Sequence, residues 1–385
     1  MAFTLTPELS FLIGLIVFWA ILYIIAYVFH LDKYGLDVKP AFVMYKSKAL
    51  NTSIDKLAKK KPVLWTTLSN IGVAFSVGLM AFSIYFLINN LLRFSQVGEI
   101  GYVAPVIPGL TLSMVWLPFF LIAIIVIVLP HELAHGIMAR VENIPVLSTG
   151  ILAVAVFFGA FVEPDEKEFE KASLTSRLRM LSAGSATNIV TALLALILLS
   201  GLFAPPAGVL IQEIVPNGPL EKAGMVRWDV IQAINGTPTT MYPDFTIYMR
   251  SVKAGQNLTV TILHNSRVQQ IPITTAQAPD NETRAILGFS PSLTDYLPNK
   301  LGLDQYAGVN LYWTTFWIYA FSFSVAVFNM LPLYPFDGER VLYYPLERFV
   351  KKRKRELRIS LSAFTLALFA LNIIISIWRY GLLAL

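Results

Sequence analysis

Residues 111–140 read TLSMVWLPFFLIAIIVIVLPHELAHGIMAR, an uncharged apolar run that ends in His131, Glu132 and His135. A helix needs roughly 18–20 apolar residues to cross a bilayer. Ionisable groups left unpaired at that depth cost on the order of several kcal/mol. Three of them within five positions therefore call for a partner. The spacing H-E-x-x-H places His131 and His135 one turn apart on a single helical face, where both imidazoles can reach one metal ion. Glu132 sits beside them and can take a proton from a water that such a metal activates. A motif this short also arises by chance, and the helix could simply leave the membrane here. The long uncharged run before it favours the metal reading.

The rest of the chain is built from similar runs. Of its 385 residues 56% are hydrophobic and only 14% charged, where ordinary globular chains carry about 25% charged residues. Uncharged stretches cover 11–29, 62–92, 101–130, 180–212, 305–336 and 359–378. The first is too long for a signal-peptide core and reads as an uncleaved span. A seventh stretch, 143–162, contains Pro145, Gly150 and Gly159. The chain has no cysteine, which excludes disulfides, iron–sulfur clusters and thiolate metal sites. Its net charge of +6 is no nucleic-acid signal, because the basic residues cluster beside the spans.

Those clusters orient the chain. Residues 31–62 carry eight Lys, and residues 337–358 carry eight Lys or Arg, including KKRKR at 351–355. Positive-inside bias puts both loops on the cytoplasmic side. An even number of crossings must separate them, and the runs 62–92, 101–130, 180–212 and 305–336 supply four. Stretch 143–162 must then dip in and return, which suits its Gly and Pro content. Such a backbone is tolerated where protein buries it or it lines a cavity. The expectation is a polytopic α-helical membrane protein with about six spans, a re-entrant β-hairpin at 143–162 and both termini outside. A prokaryotic plasma membrane is the default location.

Residues 206–278 have another character. GVLIQEIV, DVIQAING, LTVTILHN and QQIPITT are short strand-like runs separated by turn signals, and PLEKAG suggests a short helix. This is a small α+β domain on the external side, followed by a linker at 279–304. The membrane domain then falls in two parts, 1–205 and 305–385.

A zinc site needs a third protein ligand and an open position. The chain has four His; His30 ends the first span and His264 lies in the small domain, so neither is placed to complete the site. A carboxylate is the better candidate. In NMLPLYPFDGER, 329–340, Asp337 follows an uncharged run and falls at the same membrane boundary as the HELAH motif. An Asp–Gly pair there is also an ordinary turn at a helix end; the shared boundary favours the ligand reading.

Together these residues resemble the site-2 protease family of intramembrane zinc proteases. Asn329, Pro332, Asp337 and Gly338 match its N-x-x-P-x-x-x-x-D-G pattern, and Gly184 and Asn188 match its G-x-x-x-N. FFGAFVEPDE, 157–166, resembles its re-entrant hairpin and exit, and PNGPLEKAGMVRWDVIQAING resembles an inserted PDZ domain. The one departure there is Trp228, where such domains usually have Gly.

The resemblance implies one zinc ion held by His131, His135 and Asp337, with Glu132 as general base. It implies that Asn188 and Asn329 polarise the substrate carbonyl or stabilise the oxyanion; for Asn188 a helix–helix hydrogen bond is the alternative. The substrates would be single-span membrane proteins cut within or near their transmembrane helices, in the lipid bilayer. A substrate helix must unwind before attack, and a strand edge at Gly159 and Ala160 could take up its freed backbone. Two other readings are a multi-span metal transporter and a catalytically silent PDZ scaffold. Against them stand the lack of matching halves, the clustering of the ligands and the complete set of catalytic residue types.

Overall fold

The computed structural model describes residues 7–94, 101, 103–108, 110–155, 157–278, 281–289, 295–350 and 353–381. They form two compact units, one from the residues up to 194 together with those from 317 onward, the other from residues 195–316.

The first unit opens with α1 (Pro7–Val28), strands β1 (Leu36–Lys39) and β2 (Phe42–Ser47), α2 (Asn51–Lys60), α3 (Pro62–Leu92) and α4 (Leu117–Val141). Strands β3 (Val146–Val154) and β4 (Phe157–Pro164) follow, then α5 (Glu166–Lys171) and α6 (Leu174–Leu202). Helix α9 (Gln305–Asn329) begins in the second unit and ends in the first, where α10 (Asp337–Leu346) and α11 (Lys354–Tyr380) follow. Helices α1, α3, α4, α6, α9 and α11 account for six stretches long and apolar enough to cross a membrane.

Their faces divide as a bilayer demands. Ile16, Phe75, Ile125, Ile197 and Phe364 are exposed, a display of large apolar side chains that water would penalise. The inward faces use small residues: α3 buries Ser69, Gly72, Ser76 and Ser83, which lets helix backbones approach where no hydrophobic force drives them together. Helix α10 is tied to α11 by a two-pronged ion pair. Arg358 donates through Nε and Nη2 to Glu339 at 2.6 and 2.7 Å, and Glu339 is 1% exposed.

Three of the uncharged runs extend well beyond their helices. The run from 101 becomes helical only at Leu117, after a 3-10 turn at Met114–Trp116. Thr111 holds the preceding chain in a turn, accepting from Ile107 N–H at 2.8 Å and donating to the Pro105 carbonyl at 2.6 Å. Helix α6 stops at Leu202, just before Pro205 and Pro206, and α9 stops at Asn329, just before Pro332 and Pro335. Proline offers no N–H to continue a helix and pushes its predecessor out of helical geometry.

Strands β1 to β4 form one antiparallel sheet in the order β1-β2-β3-β4. Tyr45 of β2 pairs with Ile151 of β3, which pairs in turn with Ala160 of β4. The expected hairpin is therefore half of a larger sheet, and its partner strands come from the Lys-rich segment after α1. The Trp19 indole N–H, in the body of α1, donates to the Ala155 carbonyl at the β3–β4 turn at 3.0 Å. Strand β4 lies along α4 and forms one edge of the sheet.

The second unit contains strands β5 (Val209–Leu210), β6 (Val230–Ile234), β8 (Asn257–His264) and β9 (Arg267–Thr274), sheet order β5-β6-β8-β9. Strand β7 (Thr237–Pro238) pairs with β6, and β10 (Ala276–Ala278) pairs with β11 (Asn281–Ile286). Helices α7 (Pro219–Lys222) and α8 (Tyr242–Met249) complete it. Ile211, Leu220, Ile231, Val260, Ile262 and Leu287 are packed in its core. Residues 281–287, in the stretch read as a linker, thus contribute a strand and two core side chains, Ala285 and Leu287.

Trp228 takes a left-handed conformation, φ 74°, the region glycine enters at no steric cost. The departure from the PDZ pattern therefore keeps the backbone shape that Gly permits. The geometry aims the Trp228 carbonyl at Gln305, the first residue of α9, whose Nε2 donates to it at 2.7 Å and to the Leu263 carbonyl at 3.1 Å. The Gln305 side-chain oxygen accepts from Ser266 N–H at 2.9 Å. Gln305 is 3% exposed, so removing its amide strands buried partners. Gln305→Ala should destabilise this unit by about 1–3 kcal/mol, seen as faster amide exchange across β8 and β9; unchanged exchange there would refute the clamp.

Candidate metal centre

Helix α4 is uncharged up to Pro130, and Pro130 gives its helix no N–H donor just before His131. His131 and His135 then sit one turn apart on the buried face, with relative exposures of 6% and 8%. Their rings meet edge-on with centroids 4.9 Å apart, and their Nε2 atoms approach to 3.2 Å.

The chain returns to this point after α9. Between Asn329 and Asp337 it makes a tight turn, in which Leu333 N–H donates to the Leu331 carbonyl and Phe336 N–H to the Leu333 carbonyl. Gly338 packs so closely on the backbone of Met330 and Leu331 that a Cβ there would overlap it. That approach folds the two ends of N-x-x-P-x-x-x-x-D-G onto each other. The Asn329 amide donates to Asp337 Oδ2 at 3.0 Å and lies 3.0 Å from His131 Nε2. Asp337 Oδ2 is 3.2 Å from His135 Nε2 and 3.7 Å from His131 Nε2.

His131, His135 and Asp337 thus offer three ligand atoms within 4.8 Å of one another. Among the described residues this is the group of His and carboxylate side chains that could hold a metal ion. Two imidazoles and a carboxylate suit zinc and leave a position open for water or substrate. The surroundings fit as well. A Cβ on Gly184 of α6 would overlap Nε2 of both histidines, so the glycine keeps space where their ligand nitrogens converge. The Met180 carbonyl can only accept, so at 2.7 Å it takes the Nδ1–H of His135 and leaves the Nε2 lone pair facing the group.

The other candidates lie close by in the same unit. Glu132 is partly buried on α4, the helix along which β4 runs. Asn188 is fully buried on α6, its amide 2.9 Å from Nδ1 of His131. Gly159 and Ala160 lie on β4 and line an apolar cavity of about 520 Å³ with Leu121, Ile125, Val128 and Phe158. His264 is engaged elsewhere, 2.8 Å from buried Asp229 in the second unit. The Met180 carbonyl was not foreseen. It is a backbone atom, which leaves no side-chain signature in a sequence.

Known proteins share parts of this sequence. The model of Peptidase family M50 matches residues 119–371. An uncharacterized protein of Methanocaldococcus jannaschii is 28% identical over 355 residues, 89% of this chain and 87% of that protein. A Clostridium perfringens relative that carries a zinc-metalloprotease name is 27% identical over 303 residues, 61% of this chain and 88% of its own length. Among solved structures, the PDZ domain of an SdrC-like protein from Listeria monocytogenes is similar to 22% of this chain and 86% of its own, at 19% identity and a TM-score of 0.20.

The space beside Gly184 gives a direct test. Gly184→Ala should remove bound zinc from the purified protein, as measured by elemental analysis, while leaving its helix content unchanged. A variant that keeps its full zinc would show that this space is not needed.

Proposed function

The chain belongs to peptidase family M50, a family of intramembrane metalloproteases, and we propose that His131, His135 and Asp337 hold its zinc while Glu132 moves the protons. The observation that carries this reading is the convergence of those three ligand atoms beside Glu132, in a site whose glycine leaves room for an ion. A zinc ion held there supplies Lewis-acid activation of water and of the scissile carbonyl.

The protein's own groups supply the rest. Glu132 takes the proton of the attacking water and returns it to the leaving amine nitrogen. Asn329, held by Asp337, presents an amide N–H at the mouth of the ligand group and is placed to steady the oxyanion.

The substrate is a membrane-anchored protein whose transmembrane helix must open to expose a peptide bond. Strand β4 is suited to receive it. Backbone groups alternate sides along a strand. Lys46 N–H donates to the Gly35 carbonyl on the β1 side, so the alternation through Tyr45, Ile151 and Leu152 leaves Val162 of β4 on the unpaired side. The N–H and C=O of Ala160 share that side, while those of Gly159 face β3. An extended substrate segment added to this edge runs towards Glu132, with alternate side chains facing the apolar cavity. The edge lies within the bilayer in this reading, supported by the Trp19 bond to the β3–β4 turn. The active site is then near the cytoplasmic face, the second unit is a PDZ-like external module, and both termini are outside, as the Lys and Arg clusters require.

Two measurements test these roles. Glu132→Gln should keep zinc and lose about 10²–10⁴-fold in cleavage of a model transmembrane substrate; rapid cleavage by this variant would remove Glu132 from the chemistry. Ala160→Pro deletes a donor on the free edge and spares the ladder to β3. It should slow cleavage by about 2- to 10-fold, the worth of one backbone hydrogen bond, with zinc unchanged. Normal rates would sink the docking edge.

A further inference from the structure

Helix α6 meets the candidate metal centre with Met180, Gly184 and Asn188, residues four apart in the sequence. That spacing keeps them on one side of the helix. Each meets the imidazole pair in its own way. The Met180 carbonyl takes His135 Nδ1–H. Gly184 leaves space for the two Nε2 atoms. Asn188 is 0% exposed, with one polar atom of its amide 2.9 Å from His131 Nδ1 and the other buried without a hydrogen-bond partner.

The oxygen and nitrogen of an amide exchange places by a half-turn with no change of shape. Which of them faces His131 is decided by the neighbouring groups. Asp337 is an acceptor, so Asn329 turns its NH₂ towards it, at 3.0 Å. The same NH₂ lies 3.0 Å from His131 Nε2, so that nitrogen accepts as well and carries a lone pair. A neutral imidazole with its lone pair on Nε2 has its proton on Nδ1. Nδ1–H needs an acceptor, and of the two atoms of the Asn188 amide only the oxygen is one.

We propose that Asn188 is a positioning residue: its amide oxygen accepts His131 Nδ1–H from behind and so holds the Nε2 lone pair ready to bind the metal. It does for His131 what the Met180 carbonyl does for His135. One face of α6 then sets the tautomer of both histidines and leaves room between them, a physical reason for Gly and Asn at four-residue spacing. This assignment rests on the zinc-site reading and replaces the substrate-facing role implied by resemblance. Asn188 meets the ring nitrogen opposite the ligand nitrogen, and its side chain is closed off from a peptide carbonyl.

Zinc affinity tests it. The full-length purified protein is titrated with zinc against a competing chelator, as wild type, Asn188→Leu, Asn188→Ala and Asn188→Asp, and the visible spectrum of each cobalt-loaded form is recorded. Loss of a partner behind a metal-binding histidine typically weakens the metal by about 10- to 100-fold. Leu and Ala should show that loss and an altered cobalt spectrum. Asp, which restores an acceptor, should stay near wild type in both. Wild-type affinity and an unaltered cobalt spectrum in Leu or Ala, with cleavage lost, would overturn the proposal and return Asn188 to the substrate. If Leu does not fold, the Ala and Asp pair decides on the same criteria. Wild-type protein that binds no zinc would instead remove the metal-centre reading itself.

Discussion

A buried imidazole that carries its proton on Nδ1 needs an acceptor behind it, and in the proposed metal centre α6 meets that requirement. His131 and His135 stand on the buried face of α4, where stray polar groups are costly. Helix α6 approaches from behind with a carbonyl for one ring and an amide for the other. The approach is close enough that residue 184 has no room for a side chain. The turn after α9 closes the front with Asn329 and Asp337. Small residues on the helix faces make such approaches possible, as with Gly72 and Ser76 on α3.

The four-stranded sheet answers a different demand. A peptide bond in a helix has its carbonyl already hydrogen-bonded, and in hydrocarbon a freed backbone must find new partners. In the proposed function the free edge of β4, which lies along α4, takes that part. The chain builds that edge from segments far apart: β2 and β3 pair across about a hundred residues, Met44 with Leu152. The additional hairpin stiffens β3 from its other side, so that β4 alone is left open beside α4.

How far this was legible depends on whether side-chain type or backbone geometry carries the signal. HELAH and the N-x-x-P-x-x-x-x-D-G turn are side-chain patterns, and their residues fall together in the structure. The six apolar helices were equally plain, because the cost of charge in a membrane is written into composition. Helix ends were less so: uncharged residues on either side of a helix end look alike, and Thr111 holds a loop where the apolar run continues. Strands β1 and β2 read as a charged loop because Lys39 and Lys46 lie within them. Trp228 read as an obstacle to the PDZ pattern, yet it adopts the left-handed conformation that Gly permits.

The amino-acid order by itself determined the class of protein, the pair of histidines on one helical face, and Asp337 as the carboxylate at their level. It could do so because periodicity, charge depletion and donor chemistry are properties of the residues themselves. Only the tertiary structure decided which atoms stand behind each imidazole, which side of β4 is free, and that Asn188 meets the ring nitrogen opposite the ligand. Those are matters of direction between segments distant in sequence, and direction arises only once the helices have packed.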